Sequence, residues 1–305
     1  MLFIDKLTDT AGEDCVRINE PMRLHTTFRI GGPADYFVTP ATEEVLADVI
    51  RLCIQEDVPY FIIGNGSNLL VSDAGFRGVI IRLCKNLDQV DYDICSDRLY
   101  VTAGAGILLS RLAHMVCDMG FEGFEFATGI PGTLGGGVTM NAGAYGGEIK
   151  DHLLWADVLT REGRILHLHQ PELDLSYRHS RIMTEDLIVL KACFCFPKGD
   201  QEAIAGKVQD LSDQRREKQP LEYPSAGSTF KRPEGYFAGK LIQDCGLKGY
   251  SVGDAQVSEK HSGFVINKGG ACAADVMALI RHVQETVFKE FGVRLETEVR
   301  MLGDF

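Results

Sequence analysis

The sequence predicts an α+β fold, and three observations carry that prediction. Apolar residues recur at helical spacing after Pro40 (Val45, Leu46, Val49, Ile50, Cys53) and again within 271–291 (Val276, Leu279, Ile280, Val283, Val287, Phe288). Short apolar runs bounded by glycine and polar turns read as strands, and they concentrate between residues 153 and 196. Residues 293–302 alternate with a period of two, as a half-exposed strand does.

In chain order, the helix after Pro40 leads to a strand at Tyr60-Phe61-Ile62-Ile63, which breaks into Gly64-Asn65-Gly66-Ser67-Asn68. Val79-Ile80-Ile81 and Leu99-Tyr100-Val101 are further strands. The turn Gly104-Ala105-Gly106 opens a helix that runs to about Met119. A glycine-dense stretch, 129–147, precedes the strand-rich segment. Residues 198–220 are charged, predicted helical in their middle, and form a plausible domain boundary. In the closing strand Val293, Leu295, Thr297, Val299 and Met301 share one face; Arg294, Glu296, Glu298 and Arg300 share the other.

Composition narrows the function. At 305 residues the chain can build two or three cores, and 45% hydrophobic with 24% charged residues is ordinary for a soluble globular protein. No apolar run reaches the ~20 residues of a membrane span, and residues 1–20 lack a basic-then-apolar leader pattern, so a cytoplasmic enzyme is expected. The net charge of −12 argues against a nucleic-acid surface but not against local phosphate sites. The nine cysteines form no CxxC pair. Cys193 and Cys195 read more readily as reduced thiols on one strand than as a metal or disulfide site, and no metal is expected.

Successive glycines let main-chain amides approach a phosphate. Three segments qualify: Gly64-Asn65-Gly66-Ser67-Asn68, Gly104-Ala105-Gly106, and Gly129-Ile130-Pro131-Gly132-Thr133-Leu134-Gly135-Gly136-Gly137 with its continuation Asn141-Ala142-Gly143-Ala144-Tyr145-Gly146. In the first two, leucine (Leu69, Leu109) stands where a Rossmann fingerprint needs its third glycine, and no Walker lysine follows any of them. Each alone reads as a turn. Together they suit an extended dinucleotide laid along backbone, for which FAD fits better than NAD on a Rossmann sheet.

The order of His25-Thr26-Thr27-Phe28-Arg29-Ile30-Gly31-Gly32 and the first and third glycine segments resembles the UDP-N-acetylenolpyruvoylglucosamine reductases. So do Tyr177-Arg178-His179-Ser180, Ala226-Gly227-Ser228-Thr229-Phe230-Lys231 and Leu295-Glu296-Thr297-Glu298-Val299-Arg300. The resemblance covers nearly the whole chain. It implies a two-lobed FAD-binding module of the vanillyl-alcohol-oxidase (PCMH) type at 1–205, with lobes of about 1–82 and 83–205. A C-terminal α+β substrate-binding domain follows at 206–305, its last strand returning to the active site. The flavin would be held non-covalently by Gly64, Asn65, Gly66, Ser67, Asn68, Gly129, Ile130, Pro131, Gly132, Thr133, Gly136, Asn141, Ala142, Gly143 and Gly146. The short interval from Arg178 to Ser228 resembles the subclass that lacks an extra tyrosine-bearing loop.

The implied activity is NADPH-dependent, FAD-mediated reduction of the enolpyruvyl double bond of UDP-N-acetylglucosamine enolpyruvate, giving UDP-N-acetylmuramate for peptidoglycan, by a monomer. The ether oxygen makes that alkene electron-rich, so charge must flow into the neighbouring carboxylate, which calls for cationic or proton-donating groups there. A second group must protonate the adjacent carbon. By resemblance Ser228 is that donor, and Arg178 and Glu298 stabilise the carboxylate-derived charge. Taken singly, Ser228 would be a turn residue and Arg178 a surface ion pair; motif order favours the catalytic assignment. Substrate contacts are assigned to Tyr177, Arg215, Lys231, Arg232, His261 and Arg300, with a structural histidine an equal reading of His261 and a solvated charge run the alternative for Arg216 and Lys218. Two rivals stand beside this: an FAD oxidase of hydroxylated small molecules on the same fold, and a flavin-binding sensor without turnover.

Overall fold

The computed structural model describes residues 1–305. Its contacts divide the chain into two compact units. The first holds 1–17, 36–65 and 78–214; the second holds 18–35, 66–77 and 215–305. The helix Gln201–Lys218 runs unbroken past residues 205 and 206, longer than the mid-segment helix expected within 198–220. No helix is long and apolar enough to cross a membrane.

The first unit is built on a five-stranded antiparallel sheet in the order Ile165–His169, Leu153–Leu159, Ile188–Pro197, Arg98–Gly104, Val90–Cys95. The alternation in Arg98–Gly104 drives Leu99, Val101 and Ala103 into the core and leaves Arg98 and Tyr100 outside. The expected strand at Tyr60–Ile63 forms and pairs in parallel with Val79, Ile80, Ile81 and Arg82. The predicted amphipathic helix is Glu43–Gln55, started by Thr42, whose hydroxyl accepts from the Val45 amide at 3.3 Å. It buries Leu46, Val49, Ile50 and Cys53. The helix after Gly104-Ala105-Gly106 is Leu109–Asp118.

The second unit has a four-stranded antiparallel sheet, ordered Ser225–Ser228, Phe264–Asn267, Ala255–Val257, Ser251–Val252. The helix Ala273–Phe291 packs its stripe of Val276, Leu279, Ile280, Val283 and Val287 into this unit's core. Phe288 falls off that stripe, is exposed, and lies under the Arg294 guanidinium. Both Asp73 carboxylate oxygens cap the helix, accepting from the Ala273 and Ala274 amides at 2.7 and 3.0 Å.

The closing segment departs from the expected strand over 293–302. Only Arg300–Leu302 is strand, paired in parallel with Leu69–Val71. Before it the chain uses a different partner: Thr297 bridges Phe230 in antiparallel sense, Lys231 donates to the Glu296 carbonyl, and the Glu298 amide donates to the Thr229 carbonyl. Two partners of opposite direction cannot share one ladder. Leu295 and Val299 are still buried while Arg294, Glu296 and Arg300 are exposed, so the two-residue alternation survives without a continuous strand.

Candidate functional site

In the first unit the strand Tyr60–Ile63 delivers Gly64 against the long glycine segment. A Cβ on Gly64 would overlap the Thr133 hydroxyl, and the Asn65 side-chain amide donates to the Pro131 carbonyl at 2.7 Å. Two segments 66 residues apart in sequence are thereby brought together. The third, with the residues that follow it, is hydrogen-bonded to the long segment. The Leu134 and Gly135 amides donate to the carbonyls of Ile107 and Ala105, and the Leu109 amide donates to Gly132. Gly104 and Gly106 are glycine because a Cβ there would overlap the carbonyls of Leu87 and Cys84; their bareness admits neighbouring backbone. Gly136 and Gly146 differ, for both are exposed. A Cβ at Gly146 would meet nothing, and one at Gly136 would reach only the Thr133 hydroxyl, at 3.8 Å. Exposed, side-chain-free main chain beside polar side chains fits the extended, phosphate-bearing body of FAD.

Asn141 is fully buried, and its side chain is used within the protein. Its Nδ2 donates to Glu148 Oε2 at 2.8 Å and to the Ser176 carbonyl at 3.0 Å, while its Oδ1 accepts from the Lys150 amide at 3.0 Å. Every polar atom of that side chain is thus engaged by protein partners. The Gly143–Ala144 and Gly147–Glu148 strands form a short ribbon turned by Tyr145 and Gly146, both at positive φ. Arg178 sits in the two-residue turn between Ser176 and His179, which exchange both backbone hydrogen bonds. Its φ of 54° is left-handed, its Nη2 donates to the Gly143 carbonyl at 3.3 Å, and its guanidinium lies 5.0 Å from the centre of the Tyr177 ring. Burial would raise the Glu148 carboxyl, but hydrogen bonds from Lys150 and Asn141 and the charges of Lys150 and Arg178 hold it below the usual carboxylate range.

In the second unit Gly66, with φ of 60°, presses its α-carbon face onto the His25 carbonyl, where any side chain would overlap. Asn68 is tied twice to the closing segment: its Nδ2 donates to the Glu298 carbonyl and its own carbonyl accepts from the Arg300 amide, both at 3.0 Å. Ser67 between them is half-buried. Ser228 ends a bulged strand. Ser225 faces Ile266 and Ser228 faces Phe264, so the first strand holds one extra residue, taken up at Gly227 with φ of 76°. The buried Thr229 anchors the chain just beyond the serine, its amide donating to the Gly263 carbonyl at 2.8 Å and its hydroxyl accepting from the Val265 amide at 2.9 Å.

Because the Glu298 amide donates to the Thr229 carbonyl at 2.9 Å, Ser228 and Glu298 stand on neighbouring stretches of backbone. Glu298 is half-buried, whereas the Glu296 side chain is 75% exposed and pairs with Lys231 at 3.2 Å. Arg232 lies 4.0 Å from the centre of the Phe237 ring and donates from Nε to the Tyr236 carbonyl. His261 Nδ1 accepts from the Gly263 amide at 3.1 Å, which leaves the ring proton on Nε2, and burial pushes the imidazole below its ordinary value. Arg300 is exposed at the start of the closing strand, and Arg215 is half-buried in the last turn of Gln201–Lys218. Ser228, Glu298, Lys231, Arg232, His261, Arg215 and Arg300 thus belong to the second unit; Arg178 and Tyr177 belong to the first. Glu148 and Thr229 were not singled out by sequence. No spacing or motif marks a residue that matters through the bonds it makes to a distant carbonyl or amide.

A family model described as UDP-N-acetylenolpyruvoylglucosamine reductase, C-terminal domain, matches residues 219–302, and one described as an FAD binding domain matches 34–169. A UDP-N-acetylenolpyruvoylglucosamine reductase from Lachnoclostridium phytofermentans is 54% identical over 303 residues, covering 99% of this chain and 98% of its own length. The crystal structure of the UDP-N-acetylenolpyruvylglucosamine reductase from Thermus caldophilus superposes with a TM-score of 0.80 at 35% identity, covering 94% of this chain and 98% of that one. A 4-ethylphenol oxidase from Gulosibacter chungangensis aligns over 97% of this chain and 64% of its own with a TM-score of 0.50. At 14% identity that likeness extends to fold alone.

Proposed function

The chain belongs to the UDP-N-acetylenolpyruvoylglucosamine reductase family, an FAD-dependent oxidoreductase of peptidoglycan precursor synthesis, and from that premise we propose the reaction and the residues that carry it. Its fold is α+β, a PCMH-type FAD-binding module with a C-terminal α+β domain. The substrate is UDP-N-acetylglucosamine enolpyruvate, the product UDP-N-acetylmuramate, and the electron source NADPH. The enzyme works as a cytoplasmic monomer. Residues 1–205 serve the flavin, with Tyr177 and Arg178 serving the substrate as well, and 206–305 serve the sugar nucleotide.

When bound and reduced by NADPH, the flavin would supply the hydride for the terminal methylene of the enolpyruvyl group. Arg178 offers a planar, multi-donor cation to the carboxylate into which charge flows. Ser228 protonates the adjacent carbon; its hydroxyl is a weak acid, but the carbon is strongly basic and the bulged strand holds the donor in place. Glu298 assists while protonated or through a water, since a bare anion beside the enolate would repel it. Arg232, Lys231, Arg215 and Arg300 supply positive charge for the diphosphate, and Tyr177 and His261 orient the substrate.

The observation that best supports these roles is the Ser228–Glu298 corner, where one main-chain hydrogen bond sets the proposed donor and carboxyl on adjacent backbone while Glu296 turns to solvent. The test is anaerobic turnover of the purified yellow enzyme. One NADPH should disappear for each UDP-N-acetylmuramate identified by mass. NADPH consumption that needs oxygen and leaves the enolpyruvyl sugar intact would contradict the proposal.

A further inference from the structure

We infer that Asn141 is a positioning residue for Arg178. The inference rests on the reaction proposed above and deepens it. Asn141 lies in a glycine-rich stretch, where its natural reading is a flavin contact. Yet its side chain is wholly buried and all three of its hydrogen bonds are to protein. Those bonds join two pieces of chain that both bear on Arg178. One is the Ser176 carbonyl, at the base of the turn that holds Arg178 at a φ of 54°. The other is the ribbon of Gly143–Ala144 and Gly147–Glu148, whose Gly143 carbonyl accepts from the Arg178 guanidinium.

The left-handed conformation of a non-glycine residue persists only where its surroundings impose it. Asn141 supplies that constraint from 35 residues away, and itself adopts a φ of 44°, which asparagine tolerates well. Glu148 receives the second Nδ2 hydrogen bond and faces the arginine with a negative charge, completing the frame.

The substitution Asn141→Asp keeps the shape but cannot donate to Ser176, and sets a second carboxylate against Glu148. FAD content and the rate of flavin reduction by NADPH should each change by less than about threefold. Reoxidation by the enolpyruvyl substrate should slow about 10²-fold, the loss expected from a small misplacement of a catalytic group. In an Arg178→Lys background the same substitution should cost less than about threefold more, because its effect passes through Arg178. If the buried carboxylate prevents folding, Asn141→Gly suits the positive φ and deletes the same bonds, and the same pattern is expected. Loss of FAD, equal slowing of both half-reactions, or full additivity with Arg178→Lys would overturn the inference. Failure of the wild-type enzyme to reduce the substrate would instead overturn the reaction.

Discussion

The Arg178 turn of the first unit and the Ser228 corner of the second each present a side chain with a proposed catalytic role from irregular backbone, but they are held in opposite ways. Arg178 carries the left-handed φ itself, and a buried side chain, Asn141, anchors its turn. At Ser228 the left-handed residue is the preceding Gly227, which bears it without strain, and the frame is main-chain hydrogen bonds through Thr229, Gly263 and Glu298, reinforced by the Thr229 hydroxyl accepting from the Val265 amide. A frame made of main chain survives substitution of the side chain it presents. One tied by a side chain is lost when that tying residue, here Asn141, is replaced. The difference says where mutation reports chemistry and where it reports placement.

The largest effect is expected at Ser228. Ser228→Ala should lower turnover about 10³-fold, within the range of a lost acid–base group, while its melting temperature and FAD content stay at wild-type values. A marked fall in melting temperature would mean that the corner depends on the hydroxyl, and the contrast with Arg178 would collapse. Next is Arg178→Lys, which keeps the charge but loses the planar fork; turnover should drop about 10²–10³-fold. Near-normal turnover in that variant would remove Arg178 from the chemistry.

Glu298→Gln should lose about 10²-fold, the low end for such a group. Thr229→Val leaves the buried Val265 amide without its acceptor and should destabilise the protein by about 1–3 kcal/mol in urea unfolding, with turnover per folded enzyme changed less than about tenfold. Unchanged stability would show that the corner is held by backbone alone. The smallest effect belongs to Glu296→Gln, which breaks only the exposed pair with Lys231 and should alter turnover less than about threefold. A dead Glu296→Gln beside an active Glu298→Gln would reverse the assignment of the two glutamates.

Much of this frame was legible in the sequence. The helices Glu43–Gln55 and Ala273–Phe291 follow from apolar spacing, because each buries one stripe against a core. The glycine segments were legible as places of bare backbone, but composition cannot say what approaches it. Gly104 and Gly106 admit carbonyls of their own chain, whereas Gly136 and Gly146 are exposed. The strand expected over 293–302 failed for a related reason. Periodicity records which side chains are buried, not which backbone supplies the partners, and here the partner changes from the 229–231 stretch to Leu69–Val71. The left-handed turn at Tyr177-Arg178 carries none of the usual asparagine or glycine signals, because Asn141 imposes it from a distance.

The central claim is that Ser228 acts only after the flavin has been reduced. Anaerobic double-mixing stopped-flow of Ser228→Ala tests it most directly, first with NADPH and then with UDP-N-acetylglucosamine enolpyruvate, following flavin absorbance. Bleaching by NADPH should match the wild-type rate, and the return of absorbance on adding substrate should be slower by about 10³-fold, the whole of the turnover loss. Equal slowing of both phases, or normal reoxidation, would contradict the account.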